Sequence, residues 1–129
     1  MENTNQPSRV AFDSVTLDGT YANNEKVIDV KAFDRLVLDI DYTRGSGEGA
    51  SIMKFKLEHS PDGVNWYNLT IDSTGETSVI TPRVWEVQDT NKVSVIINIA
   101  YKQIKMSAIE TGVVTNAGTL STDYTLSRL

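Results

Sequence analysis

The stretch from Met53 to Ile71 constrains the fold of this chain more than any other. Met53, Phe55, Leu57 and His59 alternate with Lys54, Lys56 and Glu58. One face is therefore apolar and the other charged, the period of two that marks a half-buried β-strand. Ser60-Pro61-Asp62-Gly63 follows as a turn, with proline presetting φ at the second position and glycine free to take a positive φ. Trp66 to Ile71 is predicted to return as a second strand, with the Trp66 indole plugging the core. Ser60 and Asp62 are expected to cap backbone amides in the turn.

The same alternation recurs along the chain. Val10, Phe12, Val15 and Leu17 mark a first strand, ended by Asp18-Gly19, and Val27 to Val30 marks a short second one. Arg35 to Thr43 is the clearest central strand, with Leu36, Leu38, Ile40 and Tyr42 facing in and Asp39 and Asp41 facing out. Arg44 to Ser51 holds glycine at 45, 47 and 49 and reads as a flexible hairpin loop, because glycine costs backbone entropy and packs no side chain. Val79, Thr81, Val84, Trp85 and Val87 form a strand interrupted at Pro82, which places it at an edge or bulge. At such an edge Trp85 is as readily exposed as buried. Val93 to Ile99, then Ile104, Met106 and Ala108, and finally Leu120, Tyr124 and Leu126 alternate again. Eight or nine short strands separated by Gly, Asn and Asp turns predict an all-β fold, an antiparallel sandwich or barrel.

At 129 residues the chain is one domain's worth of sequence. Residues 1–8 are polar and are expected to form an extended arm, mobile in the free protein and ordered only against a partner, leaving 9–129 as a single domain. With no cysteine, a disulfide framework and thiolate metal sites are excluded. A net charge of −5 argues against a surface for nucleic-acid backbones or anionic membranes. The first nine residues lack the apolar centre of a signal peptide, and no run approaches the ~18 apolar residues of a membrane helix. A soluble protein, or part of a soluble assembly, put together in a reducing cytosol is therefore expected.

No constellation for chemistry stands out. His59 is the lone histidine, without a second histidine or a cysteine to build a metal site or a nucleophile–base pair. Asp39 and Asp41 share a strand face at ~7 Å spacing. Such a pair could serve a glycosidase or bind Ca²⁺, but a solvated outer face requires the same pattern. Asn68-Leu69-Thr70 matches the glycosylation sequon, and the Gly-rich loop lacks the Gly-Lys-Ser/Thr of a phosphate loop. Neither an enzyme nor a cofactor requirement is expected.

The segment Phe55 to Trp66, with Ser60, Asp62, Gly63 and Trp66 at its turn, resembles a strand–turn–strand seen in small jelly-roll-like β-sandwich proteins of tailed-bacteriophage virions. More distantly it resembles discoidin-like domains. Tyr101 to Gly112 and Ala117 to Tyr124 look like the late strands of the phage type. Against the discoidin pattern the chain is short and lacks the terminal cysteine pair. The resemblance implies a virion structural protein, foremost a capsid decoration (cement) protein that contacts the major capsid protein or other virion proteins and forms a homo-oligomer. A tail-tube or adaptor protein shares that architecture. The other expectation is a carbohydrate-binding module of a fibre, with Trp85 or Tyr67 as platform for a glycan and Ca²⁺ near Asp39 and Asp41. Partner contacts are expected from the arm (Asn3, Gln6, Arg9), the Gly-rich loop (Arg44, Glu48) and the Pro82 edge (Arg83, Trp85).

Overall fold

The computed structural model describes residues 7–72, 80–82, 84–99 and 102–128. Among them lie eleven strands: β1 (Arg9–Thr16), β2 (Glu25–Asp29), β3 (Arg35–Thr43), β4 (Ile52–Ser60), β5 (Tyr67–Asn68), β6 (Thr70–Asp72), β7 (Ile80–Pro82), β8 (Val84–Val87), β9 (Asn91–Asn98), β10 (Gln103–Thr111) and β11 (Thr119–Ser127). The first sheet has the order β1-β11-β3-β9. In the second, β2-β10-β4 is continuous, and β5 and β8 share the far edge of β4. With the β5–β7 excursion set aside, successive strands alternate between the sheets except for β4 and β8, which are neighbours in the second, and this is the order of a jelly roll, two interlocked Greek keys. The expected antiparallel sandwich is the observed fold.

The alternating residues form the core as their parity requires. Leu36, Leu38 and Tyr42 of β3, Met53 and Phe55 of β4, Ile104 and Met106 of β10 and Leu120 of β11 have no accessible surface. Phe55 lies near the centre, edge-on to Phe12 at 6.3 Å and tilted against Trp85 at 5.9 Å. β1 is irregular: its register against β11 slips twice, and Ser14 takes a φ of +46°. Phe12 is thereby turned into the core while Val10 stays exposed.

The return strand differs from expectation. Only Tyr67 and Asn68 pair with β4, opposite His59 and Glu58. The Leu69 N–H donates to the Leu57 carbonyl at 3.0 Å, and the Leu69 side chain is buried. Beyond it the chain leaves β4, so β6 pairs with β7 instead. β8 then takes up the remaining edge of β4, opposite Met53 to Lys56. Two short strands on one edge thus replace the single hairpin partner. Pro82 closes β7 and β8 is an edge strand, as a proline without an N–H requires.

Candidate functional site

One end of the sandwich gathers the β3–β4, β8–β9 and β10–β11 loops, and here the Gly-rich loop is far from unstructured. Glu48 is only 7% exposed. Its carboxylate accepts the backbone N–H groups of Val114 at 3.1 Å and of Thr115 and Asn116 at 2.6 Å each. The Asn116 side chain donates back to the Ser46 carbonyl at 2.7 Å. Those three N–H groups, Thr115 and Asn116 foremost, hold the Glu48 carboxyl below the usual carboxylate range. Glu48 was expected to face a partner; it is turned inward as a latch between two loops, because successive amides of the β10–β11 loop converge on it.

Arg44, the second residue expected from this loop, is also engaged within the chain. Its Nε donates to Ser51 Oγ at 3.1 Å, one terminal nitrogen to the Ser51 carbonyl and the other to Asp89, both at 2.9 Å. Beneath it lies a buried polar group. The Tyr42 hydroxyl donates to one Glu110 oxygen, and the Gly118 N–H donates to the other at 2.6 Å. Ser51 Oγ stands 3.5 Å from the same hydroxyl. Burial first, then the Glu110 carboxylate, pushes the Tyr42 phenol above its ordinary value. Glu110 was missed in the sequence. Its signal was available: it continues the inward parity of Ile104, Met106 and Ala108 as a carboxylate on an apolar face.

At the other end, the Ser60 turn is built as its residues require. Ser60 Oγ accepts the Gly63 N–H at 2.7 Å, and Gly63 has a φ of +80°. Asp62 Oδ1 accepts the N–H groups of Val64 and Asn65 at 2.9 and 2.8 Å. These bonds, that of Asn65 first, depress the Asp62 carboxyl strongly. Trp66, however, does not plug the core. It sits half-buried on the outside of the second sheet, where the Lys105 ammonium covers its ring at 4.2 Å. The reason is parity: pairing with β4 begins only at Tyr67, so Trp66 belongs to the turn. Trp85 is the indole that packs against the core, beside Phe55. That arrangement leaves Tyr67, 55% exposed with its ring 5.9 Å from that of His59, as the open aromatic of the two expected platforms. Burial lowers the His59 pKa.

The outer face of the first sheet carries Asp39, Asp41 and Asp123 around a shallow concavity of about 350 Å³. Asp39 accepts the Ser94 hydroxyl at 2.7 Å, and Lys92 approaches Asp41 at 3.9 Å. Among the described residues no group of three or more His, Cys, Asp or Glu is placed to hold a metal ion. Arg9 opens β1 and is exposed. With Lys26, Phe33 and Tyr124 it lines a groove of about 230 Å³ on the β1–β2 side. Trp85 belongs to the opposite side, along β8 and β9. The expected contact residues are therefore dispersed over two sides and one end. Asn3, Gln6 and Arg83 lie outside the described residues.

On the side formed by β8 and β9 the described residues cover the core only in part. Trp85 and Val87 on β8 and Val93 and Val95 on β9 are only partly buried. On the outer face of β9, Ile96 is 65% exposed beside Val37, its partner in register.

No protein-family model and no curated protein matches the sequence. Solved structures do match in shape. A chain from the disulfide-linked pili of Bacillus endospore appendages aligns at 13% identity and TM-score 0.44, over 100% of this chain and 92% of its own. One from infectious bursal disease virus, Gx strain, aligns at 12% identity and TM-score 0.49, over 96% of this chain and 32% of its own. One from Cocksfoot mottle virus aligns at 10% identity and TM-score 0.46, over 98% and 95%. At these scores and identities the likenesses carry no argument about what this chain does.

Proposed function

We propose that this chain is a structural subunit of a virus particle and, within that class, a capsid decoration protein of a tailed bacteriophage assembled in the host cytoplasm. In this reading it acts without catalysis, cofactor or metal, by adding protein–protein contacts across neighbouring capsid subunits. One observation supports it above the others. The charged loop groups are engaged in holding the loops themselves, while an apolar side of the sandwich is only partly covered by the described residues. Glu48, Asp62 and Arg44 all bond to the chain's own backbone or side chains. The Val93, Val95, Trp85 and Ile96 side meanwhile offers apolar surface to another protein. Such a brick with latched loops loses little loop entropy on docking, so an interface of about 1,200–2,000 Å² can hold it tightly.

The exposed Tyr67 ring backed by His59 supports a second reading, a carbohydrate-binding module in which the ring stacks on a sugar. Adding the purified chain to particles that lack it separates the two. Attachment that survives EDTA and added glycans, and that leaves the particles more heat-resistant, supports the decoration role. Glycan binding by the free chain that is lost in Tyr67→Ala, without attachment to particles, overturns it.

A further inference from the structure

We infer that β9 is a self-association edge, along which two copies pair antiparallel and join their four-stranded sheets into one. The inference deepens the structural-subunit reading and rests on it for its purpose, though not for its test.

Among the described edge strands, β9 alone is long and regular. It keeps unbroken register with β3 from Arg35↔Asn98 to Tyr42↔Asn91. β1 slips register twice around Ser14, β2 has five residues, and β5 and β8 have two and four. A long, flat edge presents a row of backbone groups ready to pair, and proteins that avoid such pairing blunt the edge with charges, proline or bulges. β9 has none of these devices beyond Lys92 at its start. Among the described residues no strand pairs with its outer edge.

Side chains on both faces of β9 need covering in the same way. Ile96 is exposed on the outer face next to Val37, and Val93 and Val95 are only partly covered on the inner face. A two-fold axis normal to the sheet sets outer face beside outer face. Ile96 and Val37 of both copies then share one apolar patch, and Val93 and Val95 of both copies meet below it.

Charge does not oppose an antiparallel pairing with a second copy. Lys92 stands at one end of β9, so a two-fold near Val95 separates the two ammonium groups by roughly 20 Å, at ~3.4 Å per residue. That distance exceeds the Debye length of ~8 Å in physiological salt. A parallel arrangement would turn one copy over and part the two Ile96 and Val37 patches onto opposite faces. Each Lys92 also keeps its own Asp41 partner.

Sedimentation equilibrium of the free chain, from micromolar to sub-millimolar concentration, tests the inference. A reversible monomer–dimer equilibrium is expected. Ile96→Lys is expected to weaken it about tenfold or more without changing the unfolding midpoint, since Ile96 is exposed and the lysines would oppose each other near the axis. The equivalent Val10→Lys change on β1 is expected to leave it unaltered. Because the chain has no cysteine, Ser94→Cys and Val10→Cys report on position. A short bifunctional thiol reagent is expected to cross-link the first and not the second. A wild-type monomer throughout, equal association by Ile96→Lys, or preferential cross-linking through Val10→Cys overturns the β9 pairing. A chain that attaches to particles while monomeric overturns the pairing alone and leaves the subunit reading standing.

Discussion

Replacing Tyr42 by Phe isolates the buried polar group that underlies the loop end. The ring has no accessible surface and the substitution keeps it, so the apolar burial of the side chain is unchanged. What is lost is the hydroxyl that donates to Glu110. The Glu110 residue is 3% exposed, and its second oxygen is already occupied by the Gly118 N–H. The first oxygen is therefore left facing an apolar ring edge. Losing a hydrogen bond to a charged group while stranding its acceptor costs about 1.5–3 kcal/mol. Set against a typical total of ~5–15 kcal/mol, that is a substantial fraction. It corresponds to a fall in Tm of roughly 5–10 °C for a domain of this size. Urea unfolding followed by tryptophan fluorescence measures it, with an unchanged m-value expected because the exposed surface is the same. A double-mutant cycle with Glu110→Gln should return a coupling of about 1–3 kcal/mol. A Tyr42→Phe loss below about 0.5 kcal/mol, or no coupling, would refute the claim that this bond organises the loop end.

The Glu48 latch should be sensitive to acid. Its carboxyl is held below the ordinary value of ~4.3, so its contribution is complete above that pH and is lost as pH falls through the lower folded value. Amide-exchange protection of Val114, Thr115 and Asn116 should therefore drop on acidification and, at neutral pH, in Glu48→Gln; unchanged protection in Glu48→Gln would show that the charge does not hold the latch. The two tryptophans should respond unequally to alanine. Trp66→Ala is expected to cost only about 1–2 kcal/mol, the worth of a partly desolvated cation–π contact, and Trp85→Ala about 2–4 kcal/mol for an indole packed on the core. Unfolding midpoints in urea decide, and the reverse order would return Trp66 to the interior.

The residues whose environment is set by their own strand were legible in the sequence. Leu36 to Tyr42, Met53 to Leu57 and Leu120 to Leu126 declare their inward face through parity alone, and the Ser60 turn declares its bonds through residues two or three apart. Interactions set by distant partners were not. Glu48 reads as part of a loose glycine-rich loop because the amides it binds lie 66 to 68 positions away. Trp66 reads as core because bulk and apolarity suggest burial. Its actual partner, Lys105, lies on β10, and nothing near Trp66 announces it. The split of the return strand was hidden for a related reason. Ile71 alternates plausibly with Leu69, yet β6 finds its partner in β7, and a period of two does not name the strand it will pair with.

The pairing of β1 with β11 also sets a timetable. Ser14 and Ser121 bond across 107 positions of chain. At ~5–20 residues per second of synthesis, roughly 5–20 s separate the emergence of the first strand from that of its partner. During that interval the second sheet can begin to form, since one edge of β4 can already take up β5 and β8 while β2 and the other edge of β4 wait for β10. The first sheet cannot close at its β1 edge. Phe12, a core residue in the finished fold, lacks the cover of β11 until that strand has been made. Closure of this sandwich therefore waits for β11, and the nascent chain is most open to chaperones, and to mispairing with its neighbours, just before that strand arrives.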